Sequence, residues 1–173
     1  MAILIPSHLL EQAERLLEPR KSGRNPTLIR QVDRRRAISS AYYAVLHAIL
    51  ADLADQFVGR DQRKSSRYAL AYRHVDHKQL ESLSNQVVKQ TPEKKYQPFF
   101  PEGGFDDAIR KFASLIIELK GARNSADYDP SRWVGISDAR LAIEQAQRAI
   151  ERFATAPDEQ RRVFLTLLAF PPR

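Results

Sequence analysis

The chain contains no cysteine. Disulfides and thiolate metal sites are therefore excluded, and the redox compartment is left open. No run approaches the ~20 apolar residues that a membrane span needs. The opening residues "MAILIPSHLL" lack the basic segment and the long apolar stretch of a secretory leader. A cytoplasmic location away from membranes is the expectation. No alternating stretch bounded by hairpin signals is present, so no strands are expected. A phosphate-cradling glycine loop, a nucleophile elbow and a paired-acid motif are all missing. His74 and His77 lie close together, but without thiolates or paired carboxylates they suit the start of a helix better than a metal site. No metal and no cofactor are expected, and no internal repeat or low-complexity tract is visible.

What remains is helix. The 173 residues suit a single domain over 1–173. The first helix is "SHLLEQAERLLE", with Ser7 as N-cap and an apolar stripe of Leu9, Leu10, Ala13, Leu16 and Leu17. Asn25-Pro26 opens the second, a cap followed by proline in the first turn. It runs to about Phe57 and stops at Gly59; from Ala37 to Ala54 it is nearly apolar all round, the mark of a central helix. Residues 61–75 read equally as helix or packed loop. Asp76 with Gln79 forms a capping box for a third helix. Phe99 and Phe100, in the loop "TPEKKYQPFFPEGG", are expected to cover the bundle, and Trp133 to anchor a later loop against it. A fourth helix extends from near Phe105 through Leu119, a fifth is capped by Ser137, and a shorter C-terminal helix occupies 157–170. The predicted fold class is an all-α antiparallel bundle of about five to six helices.

The net charge is +7, and its placement matters more than its size. Arg20, Lys21, Arg24, Arg30, Arg34, Arg35 and Arg36 crowd one segment against Asp33 alone. Such a cluster attracts RNA or DNA, although a solvated helix face explains it equally well.

Polar residues on core stripes give a second signal. Val32, Arg36, Ser40, Tyr43, His47, Leu50 and Ala54 share one face of the second helix. On the fourth, Phe105, Phe112, Ile116, Leu119, Arg123 and, if the helix persists, Asp127 align. A buried guanidinium has to be paired or bind an anion. Pairing of Arg123 with Asp127 or Asp129 is the simpler explanation. If the second and fourth helices run parallel from flush starts, Arg123 also falls level with Tyr43 and His47.

The stretches "RRRAISSAYYAVLHAILADLAD" and "LKGARNSADYDP" resemble HEPN-domain proteins, in particular small bacterial members often encoded beside a minimal nucleotidyltransferase. The resemblance spans roughly residues 30–155. It implies an antiparallel helical bundle, usually dimeric. Ribonuclease members carry an Arg that holds the scissile phosphate and a His that moves the proton as the 2′-hydroxyl attacks, without metal. Arg123 matches that Arg and Asn124 the polar position after it, while Tyr128 stands where the His would be. Tyrosine, with an unperturbed pKa of ~10, is a poor base near neutrality. His47 is a candidate substitute. The candidate catalytic residues are thus Arg123, Asn124, Tyr128 and His47; the candidate binding residues are Arg34, Arg35, Arg36, Ser40, Tyr43 and Asp127. The favoured function is binding of RNA or a nucleotide within a toxin–antitoxin or defence system. The alternatives are a metal-independent ribonuclease toxin and an interaction bundle that docks a nucleotidyltransferase partner. A homodimer is expected, with Val163, Phe164, Leu167 and Leu168 of the C-terminal helix as its contact.

Overall fold

The second helix organises the molecule. A computed structural model describes residues 4–19 and 30–173, and within them every regular element is helical, with no strand. The α-helices are α1 (Pro6–Leu16), α2 (Gln31–Phe57), α3 (Ser66–Tyr72), α4 (His77–Val88), α5 (Asp107–Tyr128), α6 (Ile136–Thr155) and α7 (Asp158–Ala169). The expected all-α bundle is present, with α3 as the additional helix inside the ambiguous 61–75 stretch. The opening of α2 by Asn25-Pro26, and the residues Arg20, Lys21 and Arg24, lie outside the described residues.

Helix α2 packs against α1, α3, α5, α6 and α7. Ala37, Ala41, Ala44 and Ala54 are fully buried along it, so neighbouring helices approach closely, while Ile38, Val45, Ile49 and Leu53 fill the space between them. It comes nearer to a membrane-spanning segment than the sequence reading allows, since its length and composition suffice for one. However, 67% of its apolar window is buried inside the bundle, as in a core helix. Gly59, at φ 104°, turns the chain after α2.

Capping corrects several expected boundaries. Helix α1 starts at Pro6, whose missing N–H costs nothing in the first turn, so Ser7 lies inside the helix and is not its cap. The capping box of Asp76 and Gln79 forms as expected. Asp106 caps α5 by accepting from the Ile109 N–H. That helix continues well past Leu119 through the whole "KGARNSADY" stretch, because Leu119, Lys120 and Ala126 all find buried positions. Helix α6 begins after Gly135, whose N–H donates to the Asp138 carboxylate, and Ser137 is not the cap.

Three expected coverings are overturned. Phe99 is 57% exposed, and only Phe100 folds back, its ring 4.9 Å from that of Phe105. Trp133 is 71% exposed, and its neighbour Val134 is the buried anchor. Phe164, Leu167 and Leu168 of α7 are buried within the chain, Phe164 against Phe112 and Phe153, so this face is core and is not available to a second copy.

The relation between α2 and α5 is also the reverse of the expected one. Arg35 meets Ala126, Ser39 meets Asp127, and Tyr43 meets Arg123. Ascending positions on α2 pair with broadly descending ones on α5, so the two helices are antiparallel. Arg123 still reaches the level of Tyr43, by the opposite geometry.

That arrangement reassigns the basic segment. Arg34 is buried and donates to the Val134 carbonyl at 3.2 Å, beside Gln31, which donates to the same oxygen at 3.3 Å. Arg35 donates to Ala126 O at 2.9 Å and also to Arg132 O. These side chains hold the 129–134 connection to α2 and are not free for a polyanion. Only Arg36 of the three is exposed, without a hydrogen bond or ion pair to any described residue. Hydrogen bonds from a charged donor contribute about 1.5–3 kcal/mol each. Arg34→Ala and Arg35→Ala should therefore each lower unfolding free energy in urea by about 1–3 kcal/mol. Arg36→Ala should stay within about 0.5 kcal/mol of the parent. Equal stability of all three variants would contradict this assignment.

Candidate functional site: an arginine among tyrosines and histidines

Arg123 projects from the last turns of α5 towards α2, where its side chain is 13% exposed. Burial works against its charge, yet Tyr43 and Asp127 hold its pKa above the ordinary value. The Nε atom lies 2.7 Å from Asp127 Oδ2. One terminal nitrogen donates to Tyr43 Oη and the other to Asn124 Oδ1, both at 3.1 Å. The guanidinium carbon also lies 5.6 Å from the Tyr43 ring centroid and 5.1 Å from that of Tyr128. Ser39, one turn before Tyr43, donates to the other oxygen of Asp127. Asp127 therefore spans α2 and α5 and fixes the orientation of the arginine.

Two imidazoles flank Tyr43. The His47 ring stacks on it with centroids 6.2 Å apart, and the His77 ring stands edge-on at 5.6 Å. Each is held by a second tyrosine. His47 Nδ1 lies 2.7 Å from Tyr72 Oη, and His77 Nδ1 lies 2.9 Å from Tyr42 Oη. Burial raises the pKa values of Tyr42 and Tyr72, so both remain protonated hydroxyls. Burial depresses His47, with His77 adding to the effect. Burial also depresses His77, and Arg123 and Lys120 push it further down. Lys120 is itself engaged by Glu81 of α4. Both histidines are consequently neutral near pH 7, and the Nε2 atom of each has no hydrogen-bond partner among the described residues.

Arg123, Asn124, Asp127, Tyr128 and Tyr43 thus converge as the sequence suggests, and His47 joins them through Tyr43. Ser40 lies on the same face of α2, half-buried, but it is Ser39 that reaches Asp127. Arg34, Arg35 and Arg36 do not join the cluster. His77, Tyr42 and Tyr72 escape the sequence reading. Tyr42 adjoins Tyr43 in the chain, but nothing local shows that α3 and α4 bring their polar ends to it. The capping box at Asp76 locates the start of α4 and so the position of His77; it does not say what His77 faces. His74 and His77 do not act as a pair, because His74 instead lies 2.9 Å from the Ala169 carbonyl.

Chemically, the cluster offers an oriented cation, a phenol and two neutral imidazoles in partly buried surroundings. That set suits an anion such as phosphate and supplies groups able to accept a proton. No protein-family model, no curated protein and no solved structure matches the chain.

The depressed histidines have a stability consequence. Well above pH 6.5, the ordinary histidine value, they are neutral in folded and unfolded chains alike and contribute no pH dependence. As the pH falls through that value the unfolded chain takes up protons that the folded site resists, so stability falls with pH down through the depressed folded values. The melting temperature should accordingly drop between pH 7.5 and pH 5.5. His47→Gln and His77→Gln should each flatten that drop. A parent whose melting temperature is constant over this interval would refute the buried neutral histidines.

Proposed function

We propose that the chain is a HEPN-like module that binds RNA or a nucleotide through phosphate, acting as a homodimer beside a nucleotidyltransferase-type partner in a toxin–antitoxin or defence system. The observation that carries the phosphate reading is the state of Arg123: its side chain largely buried, oriented by Asp127, with both terminal nitrogens turned to neutral oxygens of Tyr43 and Asn124. Phosphate oxygens compete effectively for such donors, and a partly desolvated site strengthens the attraction. Asp127 offsets part of the charge, which suits reversible binding. The resemblance in "SSAYYAVLHA" and "GARNSADYD" supports the family assignment, and the placing of Tyr43 against Arg123 joins the two stretches. A dimer would require a surface other than the buried face of α7.

Ribonuclease activity is favoured by one further observation. His47 and His77 are neutral imidazoles on either side of the tyrosine that Arg123 contacts. Either could take the 2′-hydroxyl proton in place of the missing histidine at Tyr128, whose ring lies against the guanidinium.

Titration of a labelled RNA oligomer by fluorescence anisotropy tests the first reading. Arg123→Ala should weaken binding at least 10-fold and lower the salt slope by the ~0.7 expected for one phosphate on a single strand. Unchanged affinity and slope would exclude Arg123 as the phosphate contact. Incubation of RNA in EDTA tests the second. Cleavage that is lost in both Arg123→Ala and His47→Gln would establish a metal-independent ribonuclease; an intact oligomer leaves the binding function.

A further inference from the structure

We propose that the cavity between the end of α2 and the start of α7 is a second ligand site, built to hold a guanine base by its Watson–Crick edge. It lies apart from Arg123 and does not depend on the phosphate reading. Asp52, which lines it, follows Tyr43 on α2 by nine residues. That spacing places it roughly 13 Å further along the helix and roughly on the opposite side.

The cavity measures about 650 Å³, with Asp52, Asp55 and Gln56 on one side and Arg161, Arg162 and Thr166 on the other. Phe153 and Leu165, both buried, give it an apolar wall. Small-molecule sites occupy roughly 300–1,000 Å³, and in them a few polar groups fix the orientation of the ligand.

Most of the polar groups here are already occupied. Asp55 accepts from Arg60, Arg63 and Tyr68. Asp158 is paired with a terminal nitrogen of Arg161. The Gln56 amide donates to the Arg162 carbonyl and the Thr166 hydroxyl. Two groups are left over. The Asp52 carboxylate, although half-buried, has no hydrogen bond or ion pair to a described residue. The Arg161 Nε is buried and also has no hydrogen-bond partner among the described residues. Burial raises the Asp52 pKa and the Arg161 charge opposes that rise, so the two side chains interact without closing an ion pair.

Unsatisfied polar groups are costly to bury, and two of opposite kind in one cavity specify what completes it. An anion would meet repulsion from Asp52, and a simple cation would meet it from Arg161. A neutral ligand that donates and accepts along one edge suits both. Neither oxygen of Asp52 is engaged, so the best edge has two parallel donors beside an acceptor. Guanine has that edge: its N1–H and N2–H donate side by side to a carboxylate, while the adjacent O6 accepts from a guanidinium. Adenine, cytosine and uracil each present one donor there.

Guanosine is the test ligand, because it carries the edge without a phosphate and so probes this cavity apart from Arg123. In titrations followed by saturation-transfer NMR, guanosine should bind the parent, inosine (which lacks the N2 amine) more weakly, and adenosine not at all. Asp52→Asn should weaken guanosine binding roughly 10-fold or more. The same variant should melt no lower than the parent, because it removes an unpaired carboxylate. The comparison of the three nucleosides on the parent needs no variant. The site is overturned if guanosine fails to bind at millimolar concentration, if adenosine binds as well, or if Asp52→Asn binds guanosine like the parent. Guanosine binding should be unchanged in Arg123→Ala, so neither site's failure counts against the other. A free nucleotide and an unpaired guanosine of RNA share this edge. An oligouridine with one central guanosine that displaces guanosine more effectively than guanosine itself would assign RNA as the source; weaker displacement would assign the free nucleotide.

Discussion

A guanidinium placed between two packed helices has to be compensated where it lies, and the site around Arg123 follows from that requirement. Its core-facing position on α5 comes from the helical repeat, since it continues the stripe of Phe112, Ile116 and Leu119. Desolvation there would cost several kcal/mol if nothing offset it. Asp127, one turn further on, supplies the opposite charge, and Tyr43 supplies an acceptor from α2. Ser39 then satisfies the second oxygen of Asp127. Compensation is therefore shared between the helices, and it sets their lateral register as well as the orientation of the cation. Because Tyr43 is turned to the arginine, its ring also becomes a wall against which His47 and His77 pack.

The same antiparallel pairing explains the basic run at the start of α2. Helix α5 ends without a basic residue in its last turn, although its terminal carbonyls carry partial negative charge. Arg35 reaches across from α2 and supplies the missing cation at Ala126 O. It continues to Arg132 O, while Arg34 and Gln31 take Val134 O. A connection that turns away from a helix exposes carbonyls its own residues do not satisfy, and here the first turns of α2 satisfy them. Charge density in the sequence is thus spent on backbone carbonyls as well as on solvent.

Legibility in the sequence follows the range of the interaction. The apolar stretch from Ala37 to Ala54 and the capping box at Asp76 are local patterns, and the corresponding helices form where those patterns lie. The Tyr43–His47 spacing is also local, and both side chains are found at the site. What fails is whatever depends on which helices meet and in which direction. A parallel pairing of α2 and α5 gives Arg123 the right neighbour for the wrong reason, because position 123 is reached from either direction. The periodicity of α7 marks an apolar face correctly, but a face alone does not distinguish core from interface. Phe164, Leu167 and Leu168 turn out to be core. Arg34 and Arg35 are misread because a charge run looks the same whether its partners are water, phosphate or carbonyls a hundred residues away.

His77 shows how a site can be assembled from features that each have an ordinary structural explanation. It is the first residue of a well-capped helix, and that role alone would account for its position. Packing of α4 against α5 brings it under the influence of Arg123 and Lys120, while Tyr42 takes its Nδ1. A protonated imidazole in that position would face two cations, so the surroundings that locate it also keep it neutral. Neutrality matters for the proposed ribonuclease reading, because it leaves a nitrogen able to accept a proton. The capping of α4 and the chemistry of the site are thus joined through one residue, and a change to the helix start would alter both.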